Sequence, residues 1–304
     1  MNKTLIFGHK NPDTDSIMSS MVMENLEKEL GNDVKAVRLG KINKETEYVF
    51  NFLGIERPEL VEKIEDGQDV ILVDHNESTQ SVDNLENANV QKIVDHHAIN
   101  FSTSAPMYYR AEPVGCTSTV LYKMYTENDV EISKEIATMM LSAIISDTLL
   151  FNSPTCTEKD KQVAEKLAKI AQVDINKYGL DMLKAGTDLS DFSPEELINI
   201  DSKTYSTNGL KYQVAQVNTA SIEDVLSSKE KIENAINNFM KANELNLFIF
   251  MITDIIENNS QIIVLGKKEI AENAFNVKIE NNTAFLPGVV SRKKQVVPKV
   301  DNVL

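Results

Sequence analysis

Tryptophan is absent from the 304 residues, cysteine occurs only twice, and none of the four histidines lies beyond position 97. The two cysteines, Cys116 and Cys156, form no CxxC pair, which argues against a structural disulfide and for reduced thiols in a cytoplasmic protein. No stretch approaches the ~18 uninterrupted apolar residues of a membrane span, and only the short run 4–7 precedes the first charges, so no membrane partner is expected. Positive charge is scarce: 31 Lys and Arg against 46 Asp and Glu leave a net charge of -15. That balance argues against a general nucleic-acid surface, whose affinity comes from Lys and Arg, but leaves room for a small anion in a locally basic pocket.

The length exceeds what one core usually supports, and two domains are expected, 1–188 and 189–304. Short apolar runs at 4–8, 33–40, 69–74, 90–95 and 105–111 read as strands, with helical spacing over 16–30, 44–53 and 116–127. Met18, Val22, Leu26 and Leu30 share one face of the first helix. Such alternation predicts an α/β fold with a doubly wound, mostly parallel sheet. The periodic pattern breaks over 184–196, with a new helix start at Ser193-Pro194. Beyond it, strands at 212–218, 245–255 and 261–266 and a helix over 222–242 predict a smaller α/β domain.

Ligands of open α/β sheets sit at the carboxyl ends of strands, and that is where the imidazoles and several carboxylates fall. His9, Asp13 and Asp15 follow the first strand in GHKNPDTDS; Asp74 and His75 end the third; Asp95, His96 and His97 end the fourth. Singly, each has a plain explanation: Asp13 or Asp15 could cap a helix, and Asn11-Pro12 is a turn signal. Three strand ends supplying Asp and His together are harder to obtain from capping alone. A fourth carboxylate joins them in the helical stretch 133–151, where Ile136, Met140 and Ala143 define an apolar face whose next position is Asp147. A buried acid there needs a cation or a close hydrogen-bonding partner.

Imidazole with carboxylate suits Mn²⁺, Co²⁺, Fe²⁺ or Zn²⁺, and the ligands suffice for two ions. Two divalent cations about 3.5–4 Å apart can share and acidify a water for in-line attack at phosphorus, so phosphoryl hydrolysis is the natural chemistry. A phosphate substrate also needs positive groups. Ser291, Arg292, Lys293 and Lys294 stand between apolar stretches in FLPGVVSRKKQVVP, and Lys203 is a weaker candidate. This division predicts metals on the first domain, anion-binding groups on the second, and an active site in the cleft between them.

GHKNPDTDS, VDHNE, VDHH and SRKKQVVP, in this order, resemble the manganese-dependent (family II) inorganic pyrophosphatases of the DHH phosphoesterase superfamily. The similarity runs from Gly8 to Pro298 and includes AQVNT at 215–219. The resemblance implies hydrolysis of pyrophosphate to two orthophosphates, with Mn²⁺ or Co²⁺ in two protein sites and Mg²⁺ arriving with the substrate. It implies that His9 and Asp13 ligate one metal, that Asp15, His96 and Asp147 ligate the other, and that Asp74 bridges both. His97 matches a histidine that contacts substrate and assists proton transfer, while Lys203, Arg292 and Lys293 match the phosphate clamp. Asp95 and His75 are expected to orient ligands. A homodimer through the N-terminal domain is implied as well. Some members carry nucleotide-binding insertions in that domain; Asp95 to Asp147 runs through without one, so no adenine-nucleotide control is expected.

The nearest alternative is a DHH phosphodiesterase or exonuclease acting on short oligonucleotides or cyclic dinucleotides. Those relatives resemble one another in a glycine-rich, histidine-containing C-terminal motif, whereas this chain has no histidine after residue 200. An exopolyphosphatase would want an extended basic track. A metal-storing or phosphate-sensing protein would need neither the anion clamp nor His97.

Overall fold

The computed structural model describes residues 3–304, which cluster into two units, one ending at Gly186 and one spanning Thr187–Leu304. In the first, strands and helices alternate: β1 (Thr4–Phe7), α1 (Thr14–Glu29), β2 (Val34–Arg38), α2 (Lys44–Leu53), β3 (Glu59–Leu60), β4 (Asp69–Val73), β5 (Asn89–Asp95) and β6 (Tyr108–Ala111). Four helices follow: α3 (Thr117–Glu127), α4 (Lys134–Thr148), α5 (Glu158–Ala171) and α6 (Ile175–Gly186). The strands form one sheet in the order β3-β2-β1-β4-β5-β6, and every pairing in it is parallel. The direction in which strands are added reverses between β1 and β4, the place where an open α/β sheet leaves a crevice at its carboxyl edge. Phe7 of β1 pairs with Leu72 of β4, so the ends of these strands lie side by side.

Burial explains why these short runs are strands. Phe7, Val70, Leu72 and Ile93 share a face with Val37 and pack against Ile64, Val82 and Leu85 from the connections. Helix α1 packs against β1, β2 and β4, and α3 against β5. Met18, Val22 and Leu26 are fully buried as their spacing predicts, whereas Leu30 is 41% exposed, because α1 ends at Glu29 and the chain turns at Gly31 with φ +88°.

The second unit contains α7 (Pro194–Leu197), β7 (Asp201–Thr207), β8 (Leu210–Thr219), α8 (Ile222–Leu226), α9 (Lys229–Asn243), β9 (Leu247–Asp254), β10 (Asn259–Gly266), α10 (Lys268–Phe275), β11 (Thr283–Leu286), a π-helical turn at Arg292–Val296 and α11 (Val297–Asp301). Its sheet runs β11-β10-β9-β8-β7, with β8 parallel to β9 and the other pairs antiparallel. Phe248, Phe250 and Ile263 pack with Ile232 and Ile236 of α9, while Ile249, Met251 and Ile262 pack with Val296 and Val300. Helix α7 starts at Ser193-Pro194 as its sequence predicts, with Ser193 and Glu196 capping one another. The single helix expected over 222–242 is two helices. Ser227 turns its hydroxyl onto the Asp224 carbonyl at 2.6 Å, and Ser228 leaves helical geometry at φ −101°, ψ 14°. Strand β7 was not expected, because a polar edge strand paired on one side needs no apolar alternation. Among the described residues no helix is long and apolar enough to cross a membrane.

Candidate metal centre

The turn after β1 brings three of the ionisable groups together. A Cβ at Gly8 would overlap Ser16 Oγ and stand 2.8 Å from the Ser16 carbonyl oxygen, so glycine lets α1 begin directly against the strand end. Asp13 is the N-cap of α1: its Oδ1 accepts the Ser16 amide at 3.0 Å, while its Oδ2 lies 3.5 Å from His9 Nε2. Capping and site-building therefore coexist in one carboxylate, with one oxygen for each. Asp15 is fully buried; Ser19 Oγ donates to its Oδ1 at 2.5 Å and the Thr117 amide to its Oδ2 at 2.7 Å.

Asp74, directly after β4, adopts φ 59°, a left-handed conformation that Asp tolerates better than most residues. This turns its two oxygens to different neighbours. Oδ2 is 3.5 Å from His9 Nε2, and Oδ1 is 3.3 Å from His96 Nε2 while accepting the Thr117 hydroxyl at 3.0 Å. His96 donates Nδ1–H to the Val114 carbonyl at 3.0 Å, a bond that leaves the lone pair on Nε2. That Nε2 is buried without a hydrogen-bond partner and faces Asp147 Oδ2 at 3.5 Å as well as Asp74. Asp147 is at the end of α4, and Leu149, Leu150 and Phe151 then take φ values of 47°, 51° and 70°. Three successive left-handed residues cost roughly 1–2 kcal/mol each, a strain adjoining the site.

Three sets of ligand atoms result, each within 4.8 Å: His9, Asp13 and Asp74; Asp15, Asp74, His96 and Asp147; and Asp74, His96 and His97, which overlaps the second. Asp74 belongs to all three. Burial pushes the Asp74 and Asp147 carboxyls well above the usual carboxylate range, and the neighbouring Asp15 charge adds to this. Four carboxylates, two buried and two partly exposed, crowd with the buried, unpartnered His96 Nε2 in one cluster, and bound cations would offset their repulsion. The donor set fits manganese: imidazole nitrogen with carboxylate oxygen, and no thiolate.

Around this cluster lie supports without a signature in the sequence. Thr117, Ser19 and the Val114 carbonyl hold ligands directly. Asp95 accepts the His96 and His97 amides and His97 Nδ1 through Oδ1, and Asn76 through Oδ2 at 2.6 Å. Burial alone would raise its carboxyl; the hydrogen bonds from His97 and Asn76 bring it down to about 2. His97 itself is half-exposed, and the Asp95 carboxylate 2.9 Å away holds its imidazole above the ordinary range. His75 turns aside: its nitrogens meet the Val73 carbonyl and Ser81 Oγ, and burial pushes its imidazole down to about 4.

In the second unit, Lys203 on β7 and Arg292 meet at Tyr205. Lys203 Nζ lies 5.7 Å from the ring centroid, and Arg292 Nη1 donates to the Tyr205 hydroxyl at 3.0 Å. Asp201 accepts Arg292 Nη2 at 2.6 Å, and Gln216 Oε1 accepts the Arg292 amide at 3.0 Å. Lys293 is exposed in the same π-helical turn. Gln295 stitches the loop by accepting the Val290 and Ser291 amides and donating to the Gly288 carbonyl. The basic run is thus an ordered loop.

Residues 3–144 match the DHH family, N-terminal domain, and residues 180–303 match the DHHA2 domain. An Oceanobacillus iheyensis protein named "Probable manganese-dependent inorganic pyrophosphatase" is 52% identical over 300 residues, 98% of this chain and 97% of its own. A Bacillus licheniformis protein of the same name is 53% identical over 307 residues, covering 100% and 99% of the two chains. The crystal structure of a Methanococcus jannaschii protein assigned by name to family II inorganic pyrophosphatase aligns with a TM-score of 0.62, 42% identity and 98% coverage of both chains. With both domains matched and about half of all residues identical end to end, the chain belongs to the DHH family, among the manganese-dependent inorganic pyrophosphatases.

Proposed function

We propose that this protein hydrolyses inorganic pyrophosphate to two orthophosphates at a dinuclear manganese site. The observation that carries the reading is Asp74, whose two oxygens face two different sets of ligand atoms. His9, Asp13 and Asp74 would hold one ion and Asp15, Asp74, His96 and Asp147 the other, with Co²⁺ able to substitute and Mg²⁺ entering with the substrate. When bound, manganese supplies Lewis acidity that acidifies water and offsets phosphoryl charge.

The chain's own groups do the rest. His97, fixed through Nδ1 by Asp95, carries a proton on Nε2 for the departing orthophosphate. Lys203, Arg292 and Lys293 bind the substrate's phosphate oxygens, Arg292 through the fork that its bonds to Asp201 and Tyr205 keep oriented. The net charge of -15 and the reduced cysteines support a cytoplasmic enzyme that engages no nucleic acid, and we propose a homodimer built through the N-terminal unit.

The test is orthophosphate release by metal-stripped protein with Mn²⁺ restored and Mg²⁺ present, using pyrophosphate, polyphosphate and a dinucleotide phosphodiester in parallel. Mn²⁺-dependent release from pyrophosphate alone is expected. Cleavage of the dinucleotide with pyrophosphate untouched would keep the metal site and overturn the substrate.

A further inference from the structure

Glu45, in the first turn of α2, is a partly buried acid that the reaction does not use. Its Oε1 accepts two hydroxyls: Thr14 Oγ1 at 2.6 Å and Ser146 Oγ at 2.5 Å. Thr14 lies between Asp13 and Asp15 in the first turn of α1, and Ser146 immediately precedes Asp147 at the end of α4. One carboxylate oxygen thus ties together two segments that are distant in sequence and that carry ligands of both sets. The tie is itself braced. Thr14 Oγ1 also pairs with Thr46 Oγ1 at 3.0 Å, and Asn43, the N-cap of α2, accepts the Thr46 amide at 2.8 Å. On its other side Glu45 abuts the end of α6, where a Cβ on Gly186 would stand 2.8 Å from Glu45 Cβ and 3.1 Å from Oε2.

We infer that Glu45 is a positioning residue for the metal centre, which sets the spacing between the Asp13–Asp15 turn and Asp147 through Thr14 and Ser146, and that Gly186 is kept small to let it do so. The inference rests on the metal-site reading above. Groups hydrogen-bonded to metal ligands typically change metal affinity 10–100-fold when lost, and Glu45, acting one residue further out, belongs at the low end of that range. Here one residue reaches both ligand-bearing segments without touching a ligand. A purely structural role makes a different prediction for Gly186→Ala, since the close approach of its Cβ to Glu45 would then cost stability as overpacking does and leave Mn²⁺ binding alone.

The experiment measures the Mn²⁺ dissociation constant of the stripped full-length protein by chelator competition, together with the metal-free thermal midpoint. Glu45→Ala should weaken Mn²⁺ about tenfold, and Gly186→Ala should weaken it by more than any fall in the metal-free midpoint accounts for. Glu45→Gln, which keeps an acceptor oxygen for both hydroxyls, should remain within about threefold of wild type. Wild-type affinity in Glu45→Ala would overturn the inference, and so would an equal loss in Glu45→Gln, which would assign the effect to charge. If Glu45→Ala does not fold, Gly186→Ala decides, and wild-type affinity there overturns it. Asp74→Ala is the control for the underlying reading: if it too binds Mn²⁺ normally, the metal centre is misassigned and not merely its support.

Discussion

Asp74 and Lys203 separate two kinds of dependence on single residues. Removing Asp74 takes a ligand from both sets, so Asp74→Ala should lose bound manganese and at least about 10³-fold in turnover, several kcal/mol of charge stabilisation leaving with the metals. Lys203→Ala should keep full metal content and lose about 10–100-fold in kcat/KM, the worth of one charged hydrogen bond. Metal analysis beside steady-state kinetics distinguishes them. Thr117 occupies a middle ground: Thr117→Val removes the hydroxyl from Asp74 and should weaken Mn²⁺ about tenfold, while Thr117→Ser should not. His75 affects stability instead. Its imidazole stays unprotonated in the folded protein down to about pH 4, whereas the unfolded chain takes up that proton near 6.5. Between those values the unfolded state binds more protons at this site, so His75 lowers the stability of the metal-stripped protein as pH drops, by on the order of 3 kcal/mol across the window, against the opposite trend of the raised Asp74, Asp147 and His97 groups. His75→Gln should remove that share of the slope in urea titrations; an unchanged slope would show that the ring is not buried neutral. The histidines and aspartates of the site were legible because each follows an apolar strand or completes an apolar helix face. Thr117, Asn76 and Glu45 were not, because a bond between a carboxylate and a hydroxyl or amide 19 to 102 positions away leaves no spacing to read.

At the level of elements, the first unit was readable from its buried parallel strands, which announce themselves as short apolar runs with ligands at their ends. Polar elements were not: β7 carries Lys203 on an edge with no apolar alternation, and the serines that divide α8 from α9 resemble ordinary helix-surface residues. Nor does Leu149-Leu150-Phe151 look like a left-handed turn, since nothing in three apolar side chains favours positive φ. The junction of β1 with α1 depends on a missing atom. Gly8→Ala should force α1 away from the strand end, cost about 1–3 kcal/mol as overpacking does, and weaken Mn²⁺ by displacing Asp13 and Asp15 together. Thermal unfolding with and without Mn²⁺ would show a larger loss for the loaded protein than for the stripped one.

For the molecule as a whole, an acidic chain of net charge -15 gathers four of its carboxylates into one cluster, an arrangement that bound cations stabilise. Mn²⁺ should therefore raise the thermal midpoint in a concentration-dependent way, and sedimentation of the loaded protein should give the mass of two chains. Most directly testable is the pairing of the ions through Asp74. Titration of the stripped protein with Mn²⁺, followed by electron paramagnetic resonance, should show two ions per chain with the spectrum of an exchange-coupled pair, since ions sharing one carboxylate lie about 3.5–4 Å apart. A single ion per chain, or two with the spectra of isolated Mn²⁺, would contradict the dinuclear site.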